Sequence, residues 1–123
     1  MKIKNNDIIN YAEKIRNAFS NTKKDFPVKV IFYIQKNQNL LYKLADEIET
    51  VRVSILKQYA DLSEDGEYYV FREDTKTIAT EKLRDLSELQ QEVNISMITL
   101  EDLKDISLTK DEIDAIMFMI QDE

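Results

Sequence analysis

Cysteine and histidine are both absent from the 123-residue chain, and glycine and proline occur once each. Without cysteine there is no disulfide, no thiolate metal site and no cysteine nucleophile. Without histidine the commonest general base and the usual zinc or iron ligand are missing. One glycine and one proline exclude glycine-rich phosphate loops, collagen and proline-rich docking segments. Long hydrophobic runs are lacking too. The longest, Val30–Ile34, falls far short of a membrane span, and the basic start at Lys2 and Lys4 is not followed by an apolar stretch of signal-peptide length. A cytoplasmic protein with no membrane contact is expected. What remains is a charged, helix-forming chain, 43% hydrophobic and 33% charged, of a length that suits one domain over residues 1–123.

The formal net charge is −7 and the sequence pI near 4.7. It is unevenly spread. Residues 1–36 carry eight basic residues against Asp7, Glu13 and Asp25, a net +5, and the rest of the chain carries −12. An acidic body repels nucleic acid and favours a basic partner. The basic third either balances that acid within the fold or binds an anion.

The first helix starts at Asn5, Asn6 or Asp7 and carries the stripe Ile8, Ala12, Ile15 and Phe19. Asp25-Phe26-Pro27 opens the longest element. From there Ile34, Leu41, Ile48, Ile55 and Leu62 repeat every seven residues, with Leu44, Ala45, Val51 and Tyr59 between, which predicts a helix near 27–61 packing along another helix. The adjacent Phe32 and Tyr33 read as core. Gly66 ends the acidic turn after that helix, and Glu67–Phe71 has the composition of a strand. Ile78, Ala79, Leu83, Leu86 and Leu89 predict a helix at 75–91, the natural antiparallel partner of the long one. Val93, Ile95 and Met97 alternate as in a half-buried strand. Thr109 and Glu112 match a capping box, with Leu108 and Ile113 placed for a hydrophobic staple. In that last helix Ile113, Ile116, Met117 and Ile120 read as the buried face, leaving Phe118 or Met119 more exposed.

The fold expected is therefore α+β and mostly helical. A long helical hairpin carries a small two- or three-stranded sheet and a docked C-terminal helix. Lys2-Ile3-Lys4 is the candidate third strand. If the strands at 67–71 and 93–98 are neighbours, the crossover through helix 75–91 makes them parallel. The long seam exceeds the helix that should cover it. Either the terminal helices or a second copy, in a homodimer, completes the cover.

Several constellations invite chemistry. Asp61-x-Ser63-x-Asp65-Gly66 follows the opening of an EF-hand loop, but its twelfth position is Arg72 rather than a chelating glutamate. The clusters Glu101, Asp102, Asp105 and Glu64, Asp65, Glu67 lie in polar stretches that do not raise a carboxyl pKa for acid–base work. No catalytic residues, metal ligands or cofactor are assigned, and the expectation is a non-enzyme. Arg16, Lys23, Lys24, Lys29 and Lys36 are the candidate anion-binding set, for a small anionic or nucleotide ligand. Nucleic acid itself is not the expected partner, since only one arginine lies in the basic third. Tyr68, Tyr69, Phe71 and Phe118 are the candidate partner-binding residues. Tyr69 and Phe71 face one way and Tyr68 and Val70 the other, so the strand is either sandwiched or shared.

The succession of Phe26-Pro27-Val28-Lys29-Val30, Gln58-Tyr59-Ala60 before an acidic glycine turn, Glu92-Val93-Asn94-Ile95 and Leu108-Thr109 with Phe118-Met119-Ile120 resembles small uncharacterised proteins encoded by phages and prophages of Gram-positive bacteria. The resemblance implies a phage protein at work in the cytoplasm of the host bacterium. Its partner would be a host or phage protein, as for an inhibitor of a host defence factor or a virion-assembly accessory. It transfers no active residue.

Overall fold

The computed structural model describes residues 1–20 and 24–121. It is mostly helical, with very short strands. β1 (Lys2–Lys4) runs directly into α1 (Asn5–Phe19), and α2 (Val28–Tyr59) is followed by β2 (Ala60–Leu62) and β3 (Tyr69–Phe71). Then come α3 (Lys76–Glu88), β4 (Gln90–Glu92), β5 (Ile98–Thr99), a 3₁₀ turn at Glu101–Leu103, α4 (Lys110–Ile116), a second 3₁₀ turn at Met117–Met119, and β6 (Ile120–Gln121).

Proline ends where α2 begins: Pro27 is the residue before the first helical turn, and the Ile31 N–H donates to its carbonyl at 3.1 Å. The 32 residues of α2 make a rod of about 48 Å. Its inner stripe, Val30, Ile34, Asn37, Leu41 and Ile48, is buried. Against it pack Ile8, Ala12 and Ile15 of α1, Ala115 and Ile116 of α4, Met119, and the extended segment holding Val93 and Ile95. The main core stops at Ile48. Beyond it, Leu56 and Ala60 are buried at the far end of the rod and Ala79 on α3, outside that cluster. The seam expected to leave room for a second copy is therefore largely covered within one chain. Ile34, Leu41 and Ile48 lie in the core, Leu44, Ile55 and Tyr59 are half-buried, and Val51 is open.

The strands form three separate pairs rather than one small sheet. β1 pairs antiparallel with β4, β2 antiparallel with β3, and β5 parallel with β6. The segments 67–71 and 93–98 are not neighbours, so the parallel crossover does not form; the tight turn at Gly66 pairs β3 with the chain just before it. Val93 extends the β1–β4 pairing, its N–H donating to the Met1 carbonyl at 2.8 Å and its carbonyl accepting from the Met1 amine at 3.2 Å, and Ile95 is buried just beyond it. Past that pairing a side chain holds the backbone: the Asn37 amide accepts from the Ser96 N–H and donates to the Ser96 carbonyl, both at 2.8 Å. Asn5 braces the other end, donating to the Leu86 carbonyl and accepting from Gln91.

The capping box of α4 is present: the Glu112 N–H donates to the Thr109 hydroxyl, and the Thr109 N–H donates to the Glu112 carboxylate. The buried face of this last segment differs from the expected one. Ala115, Ile116 and Met119 are inside, while Ile113 and Met117 are exposed. The chain tightens to a 3₁₀ turn at Met117, which brings Met119 rather than Ile120 beneath Ile116.

Candidate functional site

At the far end of α2 the chain turns back as the β2–β3 hairpin. Ala60 pairs with Phe71, Asp61 with Val70 and Leu62 with Tyr69. Opposed residues share a face, so Ala60, Tyr69 and Phe71 lie on one side and Asp61 and Val70 on the other. The first side packs toward the helices: Ala60 is buried, and Tyr69 and Phe71 are half-buried. The second side has no cover, with Tyr68 at 60% exposure and Val70 at 50%. Leu62, which opposes Tyr69 on the first side, is open as well because it lies out near the turn.

The turn that presents Tyr68 is braced. The Ser63 N–H donates to the Tyr68 carbonyl, the Tyr68 N–H to the Ser63 hydroxyl, and the Gly66 N–H to the Ser63 carbonyl. The Ser63 hydroxyl donates to Asp65, which also accepts from the Glu67 N–H. These donors hold the Asp65 carboxyl below the usual carboxylate range, Ser63 contributing most. The EF-hand look-alike is this turn, its Ser63 and Asp65 oxygens tied to one another. Among the described residues no group of three or more His, Cys, Asp or Glu side chains is placed to hold a metal ion. Gly66 stands at φ +75°, the left-handed conformation the turn requires.

The hairpin is fastened to the rod through the last carbonyls of α2, which have no intrahelical donor. Arg72 donates to the Gln58 carbonyl at 2.6 Å and the Thr75 hydroxyl to the Tyr59 carbonyl at 2.9 Å. A cation at a helix C-terminus is also favoured by the helix dipole.

The candidate anion-binding residues do not form one cradle. Lys24 pairs with Glu112 and donates to the Ser107 carbonyl, and Lys29 pairs with Asp102 at 3.1 Å. Arg16 lies over the Tyr42 ring, 4.9 Å from its centroid. Lys36 is exposed, and Lys23 lies outside the described residues. Lys24, together with the Thr109 N–H, holds the Glu112 carboxyl below its ordinary pKa. The Thr99 N–H and Lys29 do the same for Asp102. Two lysines of the basic third thus neutralise acids within the fold.

Phe118 is no free anchor. It is half-buried and stacks on Tyr11, centroids 4.6 Å apart and planes within 8°. Sequence reasoning missed a different aromatic: Phe32, expected in the core, is 58% exposed beside Val28 and Ile31. Near them Phe19, Phe26, Ile31 and Ile34 line a groove of ≈ 230 Å³ rimmed by Lys24, Gln35 and Gln38. The period of α2 could have revealed Phe32, since two residues from both Val30 and Ile34 is the opposite side of a helix. Among the described residues no helix is long and apolar enough to cross a membrane. Comparison with protein-family models, with curated proteins and with solved structures gives no match.

Proposed function

We propose that this chain is a non-enzymatic interaction protein of phage origin, which binds a host or phage protein through the outward face of its β2–β3 hairpin. One observation carries the reading. Val70 lies open on β3 and Tyr68 just before it, at the end of a turn fixed by its own hydrogen bonds. A tyrosine adds contact area at little entropic cost, and a braced turn has already lost the freedom that binding would otherwise remove. The phage origin rests on the sequence resemblance, and both an inhibitor of a host defence factor and a virion-assembly accessory fit such a surface.

The test is affinity capture from infected cells with the wild-type chain and with Tyr68→Ser/Val70→Ser. Both positions are exposed, so the double variant should keep the wild-type circular dichroism spectrum. The expected result is one host or virion protein retained by the wild type and lost by the variant. Equal capture by both would overturn the assignment to this face. A host protein would point to a defence inhibitor, a virion protein to assembly.

A further inference from the structure

The hairpin's charge is unlike that of the rest of the fold. Residues 60–75 hold six carboxylates, Asp61, Glu64, Asp65, Glu67, Glu73 and Asp74, against one arginine. That arginine, Arg72, is already engaged on the Gln58 carbonyl. The ion pairs of the described residues lie elsewhere: Met1 with Glu92, Lys24 with Glu112, Lys29 with Asp102, Arg52 with Glu49 and Lys104 with Glu101. The basic third is thus partly matched by internal partners, while the hairpin's acid is left without a cation.

Resting on the reading above, we infer that the hairpin's partner is a basic protein surface, with Lys or Arg side chains flanking an apolar depression for Tyr68 and Val70. The same charge argues against the other occupants of an open aromatic face. Nucleic acid and an anionic bilayer would be repelled, and a second copy would bring six more carboxylates to the same contact. Positive charge on the partner would both speed encounter and select against neutral competitors.

The test is a titration of ¹⁵N-labelled protein with three synthetic strand peptides that share Val and Tyr at alternate positions and carry Lys, Ser or Glu between them. The Lys peptide should shift the amides of Gly66, Tyr68 and Val70, and its affinity should fall by about tenfold from about 50 to about 300 mM salt. The Glu peptide should not bind. Glu64→Lys/Glu67→Lys, which leaves the Asp65 bracket in place and brings residues 60–75 close to neutrality, should abolish the preference for the Lys peptide. Equal shifts from all three peptides at the hairpin would keep the binding face and overturn its charge selectivity. Shifts confined to other residues, such as the groove by Phe26, would overturn the face itself. No shift with the Lys peptide at millimolar concentration, or shifts of the hairpin amides on raising the concentration of the protein alone, would overturn the inference.

Discussion

Replacing Asn37 by alanine should cost more than any surface feature of this chain would suggest. The side chain is fully buried on the inner stripe of α2. Its amide takes both hydrogen bonds of Ser96, N–H and carbonyl, at 2.8 Å each, and makes a weaker contact to the Met119 sulfur at 3.4 Å. Alanine leaves both Ser96 groups without these partners. Each buried orphan costs about 1–3 kcal/mol, reduced where water reaches the half-buried Ser96, so the expected loss is about 2–4 kcal/mol. For a chain this size that corresponds to a Tm lower by roughly 8–15 °C. Urea unfolding followed by circular dichroism measures it, with an unchanged m-value as the sign that only the native state was altered. Asn37→Asp separates the two bonds. The carboxylate still accepts from the Ser96 N–H but faces the Ser96 carbonyl, so this variant should lose most stability at neutral pH and recover part of it in acid, where a protonated carboxyl donates again. An Asn37→Ala protein within about 0.5 kcal/mol of wild type would refute the idea that this one amide anchors the backbone at Ser96.

Ile48→Asp should unfold the chain, because a charge at a site only 5% exposed costs several kcal/mol on top of the lost burial. A folded monomer with native circular dichroism would show that α2 is not packed as described. Gly66→Ala should cost about 1–2 kcal/mol from backbone conformation alone, since an added Cβ meets nothing within 4 Å, and the change should appear as faster amide exchange in the hairpin. Stability should fall in acid. Glu49, Asp65, Glu92, Asp102 and Glu112 all have carboxyl pKa values lowered in the folded chain, so their contribution is complete above the unfolded value near 4 and disappears as pH drops through the folded values. Glu112→Gln should lower the Tm at pH 7 and converge with wild type as pH falls through the lowered folded value of Glu112, which thermal melts across pH will check.

Helices were the legible part of the fold, and the reasons are local. The heptad of α2 and the Thr109–Glu112 box state their structure within one or two turns of chain, and α2 begins and ends within two residues of expectation. The strand pairing was not legible. β1 and β4 are three residues each and lie almost 90 positions apart, too short for a period and too distant for turn chemistry. The segment of Val93, Ile95 and Met97 is held by Met1 at Val93 and by Asn37 at Ser96, bonds that hydrophobicity does not encode. Asn37 itself left a trace, a polar residue three after Ile34 and four before Leu41 on the seam. Of the site, the alternation of Tyr68–Phe71 was legible; which side stays open depends on how the hairpin folds back on α2.

The pairing of β1 with β4 also sets the order in which the chain becomes fixed as it is made. Ile3, only 4% exposed, cannot be secured until Gln90–Glu92 has been synthesised, some 5–20 s later at ordinary translation rates. The β2–β3 hairpin, closed over a handful of residues, needs no such wait. Synthesis therefore produces the far end of the rod early and in nearly final form, while the first residues made are among the last to settle. Ile116 and Met119, which complete the core beneath α1 and α2, arrive later still, and until then the inner stripe of α2 has α1 and the segment holding Val93 and Ile95 to shelter it.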